Sequence, residues 1–130
     1  MKKTNNWLEF AKEDLKVAEL SLKEAIFNQV CFHSQQCAEK ALKAYLEANH
    51  KPIPKTHFLD ELLNLCSEID KDFEGLKERC SKLDDYYIPT RYPDALPGEL
   101  PEGLPDKNDA SEAISFAKEI LKFLTERINR

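Results

Sequence analysis

Side chains able to hold an anion recur at helical spacing in the run Cys31-Phe32-His33-Ser34-Gln35-Gln36-Cys37-Ala38-Glu39-Lys40-Ala41-Leu42-Lys43. His33, Gln36, Lys40 and Lys43 stand three or four residues apart, so they share one side of an α-helix. Two ammonium groups and two neutral donors on one face could hold a phosphate together with its base or sugar. Apolar Val30, Cys31, Cys37, Ala38, Ala41, Leu42, Ala44 and Tyr45 surround this stripe closely, which places it at the border of a cleft. Two bland roles compete. His33 can serve as a hydrogen bond across a helical hairpin, and Glu39, four residues before Lys43, can pair with that lysine on a solvated face.

A second cluster lies in Leu83-Asp84-Asp85-Tyr86-Tyr87-Ile88-Pro89-Thr90-Arg91-Tyr92-Pro93-Asp94. Leu83 and Tyr87 share a helical face, so part of it is core. Arg91 and Tyr92 follow Pro89 and precede Pro93, whose rings stiffen the backbone without making it helical, a good way to present a planar guanidinium to phosphate or carboxylate. The rival role for Arg91 is structural, pairing with Asp84, Asp85 or Asp94 to pin a long loop. His57 follows Thr56 where a helix should start, and its bland role is a contact within that cap.

Composition narrows the chemistry. A formal charge of -5 argues against wrapping duplex DNA or lying on an anionic membrane. Cys31, Cys37, Cys66 and Cys80 have no CxxC spacing and fall in apolar helical patterns, so they read as reduced core thiols. The three histidines show no metal-ligand spacing, and neither metal nor cofactor is expected. No apolar run approaches the roughly 20 residues of a membrane span, and Met1-Lys2-Lys3 leads into a polar segment; the expected location is the cytoplasm.

The elements that must position these groups are helical. Leu8, Ala11, Leu15, Ala18, Leu22 and Ala25 mark a first helix over about 6–25, and after a short break at 26–29 a second runs over about 30–49. Lys51-Pro52-Ile53-Pro54-Lys55 ends it. Thr56 is the expected cap of a third helix carrying Leu59, Leu62, Leu63, Cys66 and Ile69, and Leu76, Cys80, Leu83 and Tyr87 mark a fourth. Residues 88–106 form a long proline-rich loop within the single domain 1–130, and Asp106 or Asn108 caps a closing helix with Ala110, Ala113, Ala117, Ile120, Leu124 and Ile128 buried. The prediction is an all-α, five-helix up-and-down bundle: an antiparallel pair of long helices, two short ones and a long closing one.

The helix-two run, the Lys55-Thr56-His57 turn and the Leu83 to Asp94 segment together resemble the HEPN family, the "higher eukaryotes and prokaryotes nucleotide-binding" domains. The resemblance implies an all-α bundle, usually a homodimer, often encoded beside a minimal nucleotidyltransferase partner. It also implies that many members are metal-independent ribonucleases, with an arginine followed after four to six residues by a histidine. Here Arg91 is followed by Tyr92, Pro93, Asp94, Ala95, Leu96, Pro97 and Gly98, and His57 is the last histidine in the chain. RNA cleavage through the 2'-hydroxyl generally needs a group of near-neutral pKa to move a proton, and arginine cannot supply it.

The preferred expectation is therefore a nucleotide-binding module with ATP or a related nucleotide as ligand, held by His33, Gln36, Lys40, Lys43, Tyr87, Arg91, Tyr92 and Asp94. It would act as a homodimer and as partner of a nucleotidyltransferase in a toxin-antitoxin or stress-response pair. One alternative is an RNA-cleaving toxin in which Arg91 binds the phosphate and His33 or His57 moves the proton. Another is a non-catalytic partner protein modified on Tyr86, Tyr87 or Tyr92.

Overall fold

The computed structural model describes residues 6–87 and 104–129. Among them stand five α-helices: α1 (Asn6–Lys23), α2 (Phe27–Ala48), α3 (Leu59–Ile69), α4 (Lys77–Asp84) and α5 (Lys107–Ile128), with a 3-10 helix, Lys71–Leu76, leading into α4. No strand occurs among the described residues. The all-α bundle with a long antiparallel hairpin follows the hydrophobic spacing of the sequence.

The α1–α2 turn is tighter than the expected break at 26–29. Ala25 takes a left-handed conformation, φ 57°, and the amides of Ala25 and Ile26 bond back to the carbonyls of Leu22 and Ser21 at 3.1 and 2.9 Å. This is the reversal usually made with glycine just past a helix end. It lets α2 start at Phe27, three residues earlier than the apolar pattern indicates.

Helix α2 is the axis of the molecule. It packs on α1, α5 and α3, and its apolar residues Val30, Cys31, Cys37, Ala38, Ala41, Leu42, Ala44, Tyr45 and Leu46 are all buried. Small side chains dominate this list, which suits close approach to Ala11 and Ala18 of α1 and Ala110, Ala113 and Ala117 of α5. At the far end, Phe73 of the 3-10 helix lies between Tyr45 and Phe123, with ring centres 4.5 and 5.0 Å away. Arg127 covers Phe123 and reaches Asp70 and Asp72, both at 3.1 Å, tying α5 to this turn. At the start of α5, Asp106 and Asp109 accept each other's backbone amides in a capping box, so Asp106 is the cap.

Residues 49–58 form a strap. Pro52 and Pro54 forbid helix here, and His50 reverses the chain at φ 56°. The strap then returns alongside α2: the His57 carbonyl accepts from Gln35 Nε2 at 2.8 Å, one helical turn before Glu39. Helix α3 therefore starts beside Gln35 and runs in the direction of α2, reaching the Leu42 carbonyl with the Cys66 thiol.

The expected Thr56 cap is corrected. Helix α3 has Phe58 at its N-cap position with no side-chain cap of its own, while Thr56 Oγ1 accepts only from the Phe58 amide, 3.2 Å. The capping oxygens come from α4. Asp84 accepts from the amides of Leu59 and Asp60, at 2.8 and 3.1 Å, and from Gln35 Nε2 at 3.2 Å. Burial raises the Asp84 carboxyl above its ordinary range despite these three donors.

Candidate functional site

The polar stripe of α2 divides into two ion-pair groups. Lys40 Nζ and His33 Nδ1 both reach Asp14 of α1, the latter at 3.0 Å. Burial alone would raise the Asp14 carboxyl, but the hydrogen bonds and charges of His33 and Lys40 outweigh it and hold the pKa below the ordinary value near 3.8. An ionised carboxylate only accepts, so His33 donates to it from Nδ1, and Nε2 is turned away from Asp14. His33 and Lys40 each keep about a quarter of their side chains exposed, at 25% and 26%.

The second group is deeper. Lys43 Nζ donates to Glu39 Oε2 at 2.9 Å, and the two side chains are only 5% and 4% exposed. The pair expected on a solvated face is thus inside the protein. Gln36 Nε2 donates to Glu39 Oε1 at 3.2 Å and to Gln35 Oε1 at 2.8 Å. The strap brings His57 Nδ1 to within 3.3 and 3.4 Å of the two Glu39 oxygens. Three donors around one carboxylate satisfy a buried charge that would otherwise be very costly. Above Lys43 lies the Trp7 indole, 5.2 Å from Nζ to the ring centre.

Between these side chains opens a recess of about 380 Å³ lined by Trp7, Lys43, Ile53, Pro54, Lys55 and His57. The His57 side chain is half exposed, and Lys55 forms no ion pair among the described residues. The recess thus offers an aromatic face, an imidazole backed by a carboxylate and a free ammonium group. This is the equipment for a planar group bearing negative charge.

Tyr87 stands at the edge of the same region, with ring centres 5.1 Å from His57, 5.8 Å from Phe58 and 6.4 Å from Phe32. Phe32 in turn meets His33 edge-on at 5.4 Å. Tyr86 is buried near Cys31, and burial raises the phenol far above its usual value. The four cysteines are free and buried, and burial pushes the thiols of Cys31, Cys37 and Cys66 up to about 12. Among the described residues no group of three His, Cys, Asp or Glu side chains could hold a metal ion, and no helix is long and apolar enough to cross a membrane.

Of the sequence-derived site residues, the structure brings His33 and Lys40 together on Asp14, and Gln36 and Lys43 together on Glu39, with His57 and Tyr87 beside the latter. Arg91, Tyr92 and Asp94 lie outside the described residues. Trp7, Asp14, Gln35, Lys55 and Asp84 were not foreseen as part of this arrangement. Asp14 carried a signal: three residues after Ala11 and four before Ala18, it occupies the apolar seam of α1.

An all-α bundle built on two long paired helices, with a charged stripe on the central one, defines a small helical module of the HEPN type. The HEPN domain model matches residues 4–128, and the chain belongs to the HEPN family. It is 33% identical over 124 residues to "Putative toxin MJ1304" of Methanocaldococcus jannaschii, covering 88% of this chain and 80% of that one. Two solved structures are similar throughout. The archaeal HEPN homologue ST0689 has a TM-score of 0.76 and 31% identity, with 98% and 99% of the two chains covered. TT1696 of Thermus thermophilus has a TM-score of 0.74 and 36% identity, with 95% and 98% covered.

Proposed function

We propose that this chain is a nucleotide-binding HEPN module of a toxin-antitoxin type pair, and that its ligand site is the recess between Trp7, Lys43, Lys55 and His57. The observation that carries the reading is the Trp7 indole set beside a buried ammonium group, with an unpaired lysine and a half-exposed histidine at the mouth. The base stacks on the indole, and Lys55 and His57 take the phosphates. Lys43, neutralised by Glu39, holds the indole in place and adds little net charge. A homodimer and a minimal nucleotidyltransferase partner complete the reading; the toxin-like name of the M. jannaschii relative supports a paired system.

Calorimetric titration with ATP tests it. Micromolar binding, weakened at least tenfold in Trp7→Ala and in Lys55→Ala while the circular dichroism spectrum is unchanged, is the expected result. No heat at millimolar ATP would overturn it.

One arrangement favours RNA cleavage as a second reading. His33 and His57 both direct Nδ1 at a buried carboxylate, the orientation that leaves Nε2 for proton transfer. Incubation of the protein with total RNA in EDTA, beside His33→Ala, His57→Ala and Arg91→Ala, distinguishes the two. Cleavage abolished by a histidine variant would replace the binding reading. The tyrosine-modification alternative narrows to Tyr87 and Tyr92, because Tyr86 is buried.

A further inference from the structure

Gln35 of α2 is wholly buried, and each of its polar atoms is committed. Of the two hydrogens on Nε2, one goes to the His57 carbonyl at 2.8 Å and the other to Asp84 Oδ1 at 3.2 Å. Its Oε1 accepts from Gln36 Nε2 at 2.8 Å. Gln36 Nε2 spends its second hydrogen on Glu39 Oε1 at 3.2 Å, and Glu39 in turn holds the His57 ring at Nδ1. A backbone carbonyl only accepts, so the nitrogen of Gln35 must face His57, and its oxygen is thereby turned to Gln36.

At the other end of this series of bonds stands the last residue of α4. Asp84 is buried and accepts from the Leu59 and Asp60 amides as well as from Gln35, so one carboxylate fixes the start of α3 and the Gln35 amide together. His57, two residues before Leu59, is gripped at its carbonyl by Gln35 and at its ring by Glu39. An apolar side chain would fill the place of Gln35 without the desolvation that an amide costs, so what the glutamine supplies is direction rather than packing. A displacement of Asp84 cannot be absorbed there, because hydrogen bonds weaken outside a narrow range of distance and angle and the enclosed amide cannot turn to bulk water.

We propose that Gln35 is a positioning residue that couples the end of α4 to the recess beside Trp7. Asp84 sets Gln35, and Gln35 sets the His57 carbonyl directly and the His57 ring through Gln36 and Glu39; the affinity of the recess follows. The proposal rests on the nucleotide reading of that recess. By linkage the coupling runs both ways: a ligand that orders His57 steadies the end of α4, and a displacement there weakens ligand binding by the same factor. Tyr87, three residues after Asp84, also lies against the His57 ring at 5.1 Å, a contact that does not pass through Gln35.

The test compares the native chain with Asp84→Asn, Gln35→Met and the double variant. It uses calorimetric titration with ATP and, without ligand, the ring resonances of His57 in the isotope-labelled protein. Asp84→Asn and Gln35→Met should each move the ring signals and weaken ATP binding at least fivefold. The double variant should stay within twofold of Gln35→Met, because two changes on one path do not add. Losses that multiply, or ring signals that still respond to Asp84→Asn in the Gln35→Met background, assign the coupling to Tyr87 and overturn the proposal. Unmoved ring signals and ATP affinities within twofold of native, beside a lower denaturation midpoint, make Gln35 purely structural and overturn it too. If Gln35→Met does not fold, Gln36→Met, at a half-buried position, stands in for it. It cuts the path through Glu39, so the ring response to Asp84→Asn should fall by at least half, and an undiminished response overturns the proposal. No heat from the native chain at millimolar ATP removes the nucleotide reading and this proposal with it; ATP binding that ignores both substitutions removes this proposal alone.

Discussion

Lys43 and Glu39 are each almost wholly enclosed, and Gln36 and His57 fill further acceptor sites of the carboxylate. Removing one member strands the other. Glu39→Ala should lower the unfolding free energy by about 3–5 kcal/mol, whereas the double change Glu39→Leu with Lys43→Met, which removes both charges, should recover most of it. Chemical denaturation of the three proteins measures this directly. Asp14 predicts a pH effect. Its folded-state pKa lies below that of the unfolded chain, so its stabilisation is complete above the unfolded value near 3.8 and is lost as pH falls through the folded value. Asp14→Asn should therefore be less stable at neutral pH and should lose stability less steeply as the pH falls below the ordinary value near 3.8, seen as shallower acid dependence in urea titrations.

At the scale of the element, two helix ends reverse through non-glycine residues in left-handed geometry, Ala25 and His50. At Ala25 the side chain is exposed and contributes no buried packing. Ala25→Gly should thus stabilise the protein by about 1 kcal/mol, partly offset by the freer unfolded chain. The melting temperature should rise by about 3 °C, which calorimetry can resolve. The same elements mark what sequence could and could not convey. Helices α1, α2 and α5 were legible because their three-four apolar seams last five or six turns. The cap of α3 was not, because its oxygens come from Asp84, twenty-five residues downstream of Leu59. Spacing placed His33, Gln36, Lys40 and Lys43 on one side of α2, but it could not say that Asp14 and the returning strap stand opposite them. A face is a local property; its occupant depends on the tertiary path.

For the whole molecule, the outer side of α1 is an exposed apolar face among the described residues. Phe10, Val17 and Leu20 recur at helical spacing and are 50%, 38% and 52% exposed. The proposed homodimer would bury them against a second copy across a two-fold axis. Light scattering at tens of micromolar should then give twice the chain mass of 15.0 kDa. The double variant Phe10→Glu with Leu20→Glu should return the single-chain mass with its helix content intact, and a strictly monomeric native protein would remove this expectation.

The pairing of Glu39 with Lys43 within one helix bears on the order in which the protein opens and closes. Both charges belong to α2, one turn apart, so the helix carries its own counterion into the core and has no need of the strap to neutralise it. What the strap adds, the His57 contact with Glu39 and the Gln35 bond to the His57 carbonyl, can come and go without exposing a bare charge in the interior. Strap amides should accordingly exchange with deuterated solvent through a local opening well below the global unfolding free energy, while the Cys37 to Leu46 amides of α2 exchange only with the whole molecule. The recess beside Trp7 would then be built and unbuilt on a time scale of its own, on a core that stays shut.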